Sequence, residues 1–195
     1  MRETIFLRAA RTFSLLGAVC LLASCGPRYA ARYGTELKPE DDAGLVIIGQ
    51  TVRTEWILCN FTSYWYPMGS PTGTEAPSDF FWARETSCEN GAPRARYNIF
   101  RLAPGDYYLA YVQSKTPGEQ TSMYINKKLK SGFDRIKTPK FTLAKGEVLY
   151  IGDIVFDKIY PAKAIAVRRN DDRALAALKE QVGTELPMTF RSALP

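Results

Sequence analysis

Short apolar segments separated by glycine, proline and polar residues run from Leu45 to Val167, and they constrain the fold more than any other feature of the sequence. Segments of this length between turn residues are typical of strands in all-β domains. Leu45–Ile48 is apolar throughout, which predicts a strand covered on both faces. The pattern predicts a mainly β, antiparallel sandwich of nine strands, at Leu45–Ile48, Trp56–Cys59, Asp79–Ala83, Tyr97–Leu102, Tyr107–Val112, Ser122–Ile125, Lys140–Leu143, Val148–Phe156 and Ala164–Val167.

One helix is predicted after these strands, at residues 171–182. Asp171 or Asp172 can cap its N-terminus, and Gly183 can end it. Apolar residues recur there at helical spacing, which predicts one buried face. That face would consist of Leu175, Leu178 and Val182.

Two tight turns carry most of the information on topology. In LAPGDYYL, residues 102–109, Pro104 fixes φ and Gly105 can take the positive φ that follows. Alternation then predicts that Tyr107, Leu109 and Tyr111 share one face, with Tyr107 in the core. Glycine also occupies the turn in FTLAKGEVLYIG, residues 141–152. Both turns are interpreted as hairpins.

The order of the two motifs, L-x-P-G-x-Y-x-L and then F-x-L-x-x-G-E-x-x-Y-I-G, resembles that of prealbumin-like or carboxypeptidase-regulatory-like β-sandwiches. It is especially similar to a group of uncharacterised bacterial lipoproteins built on that module. The resemblance covers roughly residues 45–167 and implies a prealbumin-like sandwich with one C-terminal helix. It implies no chemistry, because the family has no assigned activity.

The N-terminus has the layout of a secretory signal, with Arg2, Arg8 and Arg11 before an apolar run over residues 12–23. The run is too short for a permanent transmembrane helix, which needs about 20 residues. The residues Leu22-Ala23-Ser24-Cys25 resemble the lipobox of bacterial lipoproteins. This resemblance implies cleavage before Cys25 and acylation of that residue.

The resulting domain prediction has a signal peptide at 1–24, a lipidated N-terminus and flexible tether at 25–43, and the sandwich with its helix at 44–195. In Gram-negative lipoproteins, aspartate after the acylated cysteine retains the protein at the inner membrane. Gly26 occupies that position here. The resemblance therefore implies a lipoprotein of the bacterial envelope, at the outer membrane and facing the periplasm.

The composition argues against an enzyme. The chain contains no histidine, which removes Ser-His-Asp and Cys-His arrangements and the commonest transition-metal ligand. Its carboxylates are interpreted as solvated loop acids, and Asp153, which interrupts an apolar strand, as a position facing solvent or an edge. No cofactor or metal is predicted. Removal of the predicted signal peptide, with Arg2, Glu3, Arg8 and Arg11, lowers the net charge from +6 to +4, which is too mild to indicate a nucleic-acid partner.

Two cysteines remain in the predicted mature chain besides Cys25, and they are Cys59 and Cys88. An exported protein meets an oxidising environment, and further soft ligands for a metal are absent, so a Cys59–Cys88 disulfide is predicted.

A basic segment at 125–140 could contact anionic polymers or lipid, or could be a solvated hairpin.

The residues between these two cysteines are rich in aromatic side chains, which are Phe61, Tyr64, Trp65 and Tyr66 and, further on, Phe80, Phe81 and Trp82. Two interpretations stay open. The rings could form the sandwich core, or Trp65 and its neighbours could be a platform for a glycan or anchors for a protein partner. The sequence thus predicts a lipid-anchored binding or structural module without catalytic activity. The alternative is a carbohydrate-binding accessory protein that uses an aromatic platform near Trp65.

Overall fold

The computed structural model describes residues 29–31, 34–38, 41–52, 61–69, 80–85, 95–116, 119–124, 138–159, 162–183 and 185–194. Within these ranges the chain is mainly β, with two sheets and one helix. The elements are β1 Gly44–Val52, β2 Phe61–Pro67, β3 Phe81–Glu85, β4 Arg96–Leu102, β5 Gly105–Thr116, β6 Glu119–Tyr124, β7 Lys140–Leu143, β8 Val148–Ile159, β9 Ala162–Arg168, α1 Asp171–Val182 and β10 Thr189–Phe190. The predicted strand Trp56–Cys59 lies outside the described residues.

Sheet A contains strands from both halves of the chain, in the order β10-β8-β1-β4, and β9 also pairs with β8. β4 and β9 pair antiparallel with their neighbours, whereas β1 and β10 both run parallel to β8. The predicted fully antiparallel arrangement is therefore wrong for this sheet. Parallel neighbours need a long crossover, and the crossover from β1 to β8 includes all of sheet B.

Sheet B is antiparallel throughout, in the order β3-β2-β5-β6, and β7 also pairs with β5. Both predicted hairpin turns connect one sheet to the other instead of joining paired strands. The turn at Pro104 links β4 of sheet A to β5 of sheet B, and the turn at Gly146 links β7 of sheet B to β8 of sheet A. The residues of a turn indicate where one strand ends, but they do not indicate which sheet the next strand joins.

The main core lies between the two sheets. Side chains from both sheets meet there in one apolar cluster, so the architecture is sandwich-like. Tyr107 belongs to this core, as predicted. Its ring stacks on Phe141 at 5.1 Å, and its hydroxyl donates to the Ala103 carbonyl at 2.8 Å. The largest fully buried members of the cluster are Trp65, Phe81, Phe100 and Phe156.

Helix α1 covers the opposite face of sheet A. Leu45 and Ile47 face Leu178 and Val182 of the helix in a second apolar cluster, while Val46 and Ile48 belong to the main core. The prediction that the first strand is covered on both faces is therefore confirmed.

The predicted bounds of the helix are confirmed, but two of its details differ. Asn170 is the N-cap residue rather than Asp171 or Asp172, and its side chain accepts a hydrogen bond from Arg173 N. Gly183 ends the helix with φ 81° as predicted. Leu175 is exposed, because Ala174 and Ala177 complete the buried face in its place.

Candidate functional site

Sheet B presents aromatic side chains on both of its faces. Along β2, Trp65 points into the main core, and Tyr64 and Tyr66 point the other way, because successive side chains alternate across a strand. The rings that point away from the core form one cluster, which we call the outer aromatic face. Its members are Tyr64, Tyr66, Phe80, Trp82, Tyr108 and Tyr111.

A β-bulge in β5 brings both Tyr108 and Tyr111 to this face. Tyr64 pairs with Tyr111, but the next residue, Trp65, pairs with Leu109, so Ala110 is the extra residue on β5. A bulge shifts the alternation of side chains by one position. Tyr108 and Tyr111, three residues apart, therefore lie on the same side. The prediction that Tyr111 shares a face with Tyr107 and Leu109 is wrong for this reason.

The rings of the outer aromatic face pack closely against one another. Tyr64 and Tyr111 stack with centroids 4.2 Å apart and planes within 8°. Tyr66 contacts Tyr108 and Tyr111 edge-on, each at 6.1 Å. Aromatic pairs of this kind contribute about 0.5–1.5 kcal/mol each beyond their area burial. The cluster is thus an ordered surface rather than a set of independent side chains.

Most of the polar atoms on the rings of this surface are tyrosine hydroxyls. Tyr64 Oη donates to Gln113 Oε1 at 2.9 Å, on the neighbouring strand. Burial raises the pKa of Tyr64 and of Tyr108, so both hydroxyls stay protonated at neutral pH. Tyr64, Tyr66, Phe80, Trp82 and Tyr111 remain partly exposed, while Tyr108 is buried beneath them. Partly exposed tyrosine and tryptophan rings with polar tips are the residue types enriched at protein interfaces.

Trp65 is fully buried, with 0% of its surface exposed, and it cannot be the centre of an accessible platform in this structure. Its indole Nε1 donates to Ser63 Oγ at 3.1 Å, and Ser63 Oγ donates to Gln50 Oε1 at 2.7 Å. The Gln50 amide in turn donates to the Ala83 carbonyl at 3.1 Å. This chain of hydrogen bonds joins β1 of sheet A to β2 and β3 of sheet B. Of the three predicted contact residues, Tyr64 and Tyr66 remain candidates, while Trp65 has a structural role.

Asp153 lies in the interior, not at solvent or at an edge as predicted, and only 6% of it is exposed. Its carboxylate accepts hydrogen bonds from Tyr150 Oη at 2.6 Å and from Tyr97 Oη at 3.1 Å. Burial raises the pKa of the Asp153 carboxyl, and the two tyrosine hydroxyls oppose that shift. Burial and the adjacent carboxylate also raise the pKa of both tyrosines.

The Asp153 network has the geometry of a buried structural cluster. The carboxylate is satisfied by its two donors, and Tyr150 Oη also accepts from the backbone of Asn170, at the start of α1. The network therefore connects β8, β4 and the helix N-terminus. Among the residues that the structure describes, no three acidic or cysteine side chains form a group that could hold a metal ion.

The remaining predicted site residues, Cys25, Cys59 and Cys88, lie outside the described ranges, as does the basic segment up to residue 137. In the part of the chain with described coordinates, no helix is long and apolar enough to cross a membrane.

The chain matches no family model, no curated protein and no solved structure. What the protein does must therefore be argued from its own residues.

Proposed function

We propose that the protein is a lipid-anchored module of the bacterial envelope, with a prealbumin-like sandwich, that binds another envelope protein through the outer aromatic face and performs no catalysis. Three sequence features support the anchor: the positively charged N-terminus, the short apolar run after it, and the lipobox that ends at Cys25. One acyl chain holds a protein only marginally and two hold it stably, so a triacylated cysteine would be a lasting anchor. Gly26 favours the outer membrane, with the domain in the periplasm.

The single observation that carries the binding role is the outer aromatic face itself. Five partly exposed rings are gathered on one side of sheet B, around the bulge at Ala110. Scattered exposed apolar residues need no explanation, but a contiguous patch of them indicates an interaction site. Aromatic residues are also the commonest energetic anchors of protein interfaces.

The way the rings pack favours a protein over a glycan. A sugar stacks on an open ring face, but Tyr64 and Tyr111 each use one face for their mutual stack. The burial of Trp65 also removes the residue on which the carbohydrate alternative was centred. The rings of Tyr66, Phe80 and Trp82 are also partly exposed, and rings of this kind suit the contacts of a protein interface.

In-cell photocrosslinking tests the binding role. A photoreactive residue at Tyr66 or Trp82 should form an adduct of one reproducible mass, and one at Leu175, exposed on α1, should not. Trp82→Ala should abolish the adduct formed from position 66 while leaving the folded protein intact by circular dichroism. Equal adducts from positions 66, 82 and 175 would contradict the assignment. Trp82-dependent sedimentation with purified peptidoglycan would instead support the glycan alternative.

The anchor is tested by fatty-acid labelling. Cys25→Ala should accumulate as an uncleaved precursor that takes up no labelled fatty acid, because the lipobox thiol is the acceptor. Cys20→Ala is the matched control, since Cys20 lies within the apolar run and should not affect labelling. Labelling that persists in Cys25→Ala would exclude this residue as the anchor.

A further inference from the structure

The first described residues of the chain are bound to the sandwich. Ala30 bridges Phe100 of β4 in an antiparallel arrangement. Ala31 N donates to the Ile99 carbonyl at 2.9 Å, and Arg101 N donates to the Tyr29 carbonyl at 2.9 Å. Tyr29 also packs against the main core. The segment predicted as a flexible tether is thus attached to sheet A from Tyr29 to Ala31.

This attachment shortens the free part of the tether. Only Gly26, Pro27 and Arg28 stand between Cys25 and Tyr29 in the sequence. Four residue steps span at most about 14 Å, whatever conformation they adopt, because each step covers no more than about 3.6 Å. An acylated Cys25 at the bilayer surface would therefore hold Tyr29 within about that distance of the lipid.

The direction of pairing identifies which end of the sandwich lies nearest. Going backwards from Ala31 to Tyr29, the partner on β4 changes from Ile99 to Arg101, towards the C-terminal end of that strand. The chain before Tyr29 therefore leaves sheet A where β4 ends. The turns at this end, residues 103–106 and 144–147, together with Met68, form what we call the tethered end. Met68 belongs there because its backbone N donates to the Asp106 carbonyl at 2.7 Å.

We infer, resting on the proposed acylation of Cys25, that the tethered end is the surface that faces the lipid bilayer. Met68 is 44% exposed there and is one of two large hydrophobic side chains that stand out as exposed in the described part of the chain. Exposed lipid-facing apolar side chains add to an anchor in proportion to the area that they bury. The tethered end thus combines the covalent attachment with an apolar contact residue.

The tether, rather than charge, sets this orientation. Two ion pairs neutralise charged groups at the tethered end, Arg191–Glu147 at 2.7 Å and Arg101–Asp41 at 3.1 Å. The two other charged residues of its turns, Asp106 and Lys145, have opposite signs, so these turns carry little net charge. Surface charges that are already paired attract anionic headgroups weakly, and salt screens what attraction remains. The orientation should therefore not depend on ionic strength.

Short-range quenching by lipid-bound nickel tests the inference. Full-length acylated protein is reconstituted in phosphatidylethanolamine and phosphatidylglycerol vesicles that contain a nickel-chelating lipid. A small fluorophore is attached through a bioorthogonal amino acid at Lys145, in the tethered end, or at Arg84, exposed on β3. Arg84 pairs with Thr62, and Thr62 pairs with Gln113 of β5. Eight steps along β5 separate Gln113 from Gly105, which corresponds to roughly 26 Å.

Quenching should be several-fold stronger at position 145 than at position 84, at both low and high salt. Inserting about a dozen glycine and serine residues after Gly26 should remove this difference, because a flexible linker of that length lets the domain turn freely. Equal or reversed quenching, or a difference that disappears in salt, would overturn the inference. A difference that survives the insertion would contradict the short tether as the cause of the orientation.

Flotation and mass spectrometry separate this inference from the proposed anchor. Protein that floats with vesicles and carries acyl chains on Cys25 has the anchor, whatever the quenching shows. If such protein shows no difference between positions 145 and 84, the orientation is wrong and the anchor stands. Protein that neither floats nor carries acyl chains would contradict both.

Discussion

Substituting Gly49 with alanine should disrupt the Asp153 network and destabilise the fold. Gly49 lies in β1 beside the register shift, where it pairs with Asp153 of β8. A Cβ atom at this position would lie 1.9 Å from Asp153 Oδ1 and 2.8 Å from its Cγ. The carboxylate cannot move aside without losing Tyr150 and Tyr97, which bind it at 2.6 and 3.1 Å.

The magnitude follows from these two hydrogen bonds. A hydrogen bond to a charged group contributes about 1.5–3 kcal/mol net, and a buried carboxylate left without its donors costs more. Allowing for partial relaxation, Gly49→Ala should lower the free energy of unfolding by about 3–5 kcal/mol. In a domain of this size that corresponds to a fall in melting temperature of roughly 6–20 °C.

A double-mutant cycle with Asp153→Ala isolates the cause. Removing the carboxylate eliminates the contacts at 1.9 and 2.8 Å and leaves the approach to the backbone Cα of residue 153 at 3.1 Å, so Gly49→Ala should cost only about 1 kcal/mol in that background. Urea denaturation followed by circular dichroism measures all four variants. A cost of less than about 1 kcal/mol for Gly49→Ala alone, or equal costs in the two backgrounds, would refute the reasoning.

Three further predictions concern the buried polar and cysteine residues. Because burial raises the pKa of Asp153 above 3.8, the folded state binds its proton more tightly than the unfolded state does. Its contribution to stability should increase as the pH falls from about 7 towards that value, and urea titrations of Asp153→Asn should lack this increase. Tyr107→Ala should cost about 3–5 kcal/mol in the same assay, because it removes a buried ring. Tyr107→Phe should cost only about 1 kcal/mol for the hydrogen bond to Ala103. Cys59 and Cys88 should form one disulfide-linked peptide in non-reducing mass spectra, and its reduction should cost about 3–4 kcal/mol. Free thiols at both positions would exclude that bridge.

Cys59 and Cys88 lie outside the described residues, so their pairing stays a prediction. In the sequence, Cys59 comes two residues before Phe61 and Cys88 comes three residues after Glu85, and Phe61 pairs with Glu85 at one end of the β2–β3 pair. The mass spectra of the two cysteine peptides therefore test the bridge directly.

Local signals in the sequence predicted the elements well. Leu45–Ile48 lies within β1, Lys140–Leu143 is β7, and residues 171–182 are α1. In each case the signal is contained in a few neighbouring residues, as continuous apolar character, turn residues on both sides, or a C-terminal glycine. β2 and β10 were not predicted. The two-residue β10 is too short to show a pattern, and in β2 the adjacent polar residues Thr62 and Ser63 interrupt both an alternating and a continuous apolar pattern.

Features that depend on pairing between distant strands could not be predicted. The parallel contact between β1 and β8 leaves no local signature, and neither does the burial of Asp153 by Tyr97, 56 residues away. The outer aromatic face depends on the bulge at Ala110, and nothing in the residues around Ala110 indicates an extra residue. Without the bulge, alternation places Tyr111 in the core.

The proposed orientation on the membrane affects how a partner could reach the outer aromatic face. If the tethered end faces the bilayer, β2 and β5 extend away from it, because β2 ends and β5 begins at that end. The outer aromatic face would then stand at a steep angle to the membrane, where a neighbouring envelope protein could reach it. A tether of about 14 Å would keep that face at a constant height above the lipid. A partner anchored in the same membrane should therefore bind the native protein more tightly than a variant with a lengthened tether, because a longer flexible linker lowers the effective concentration.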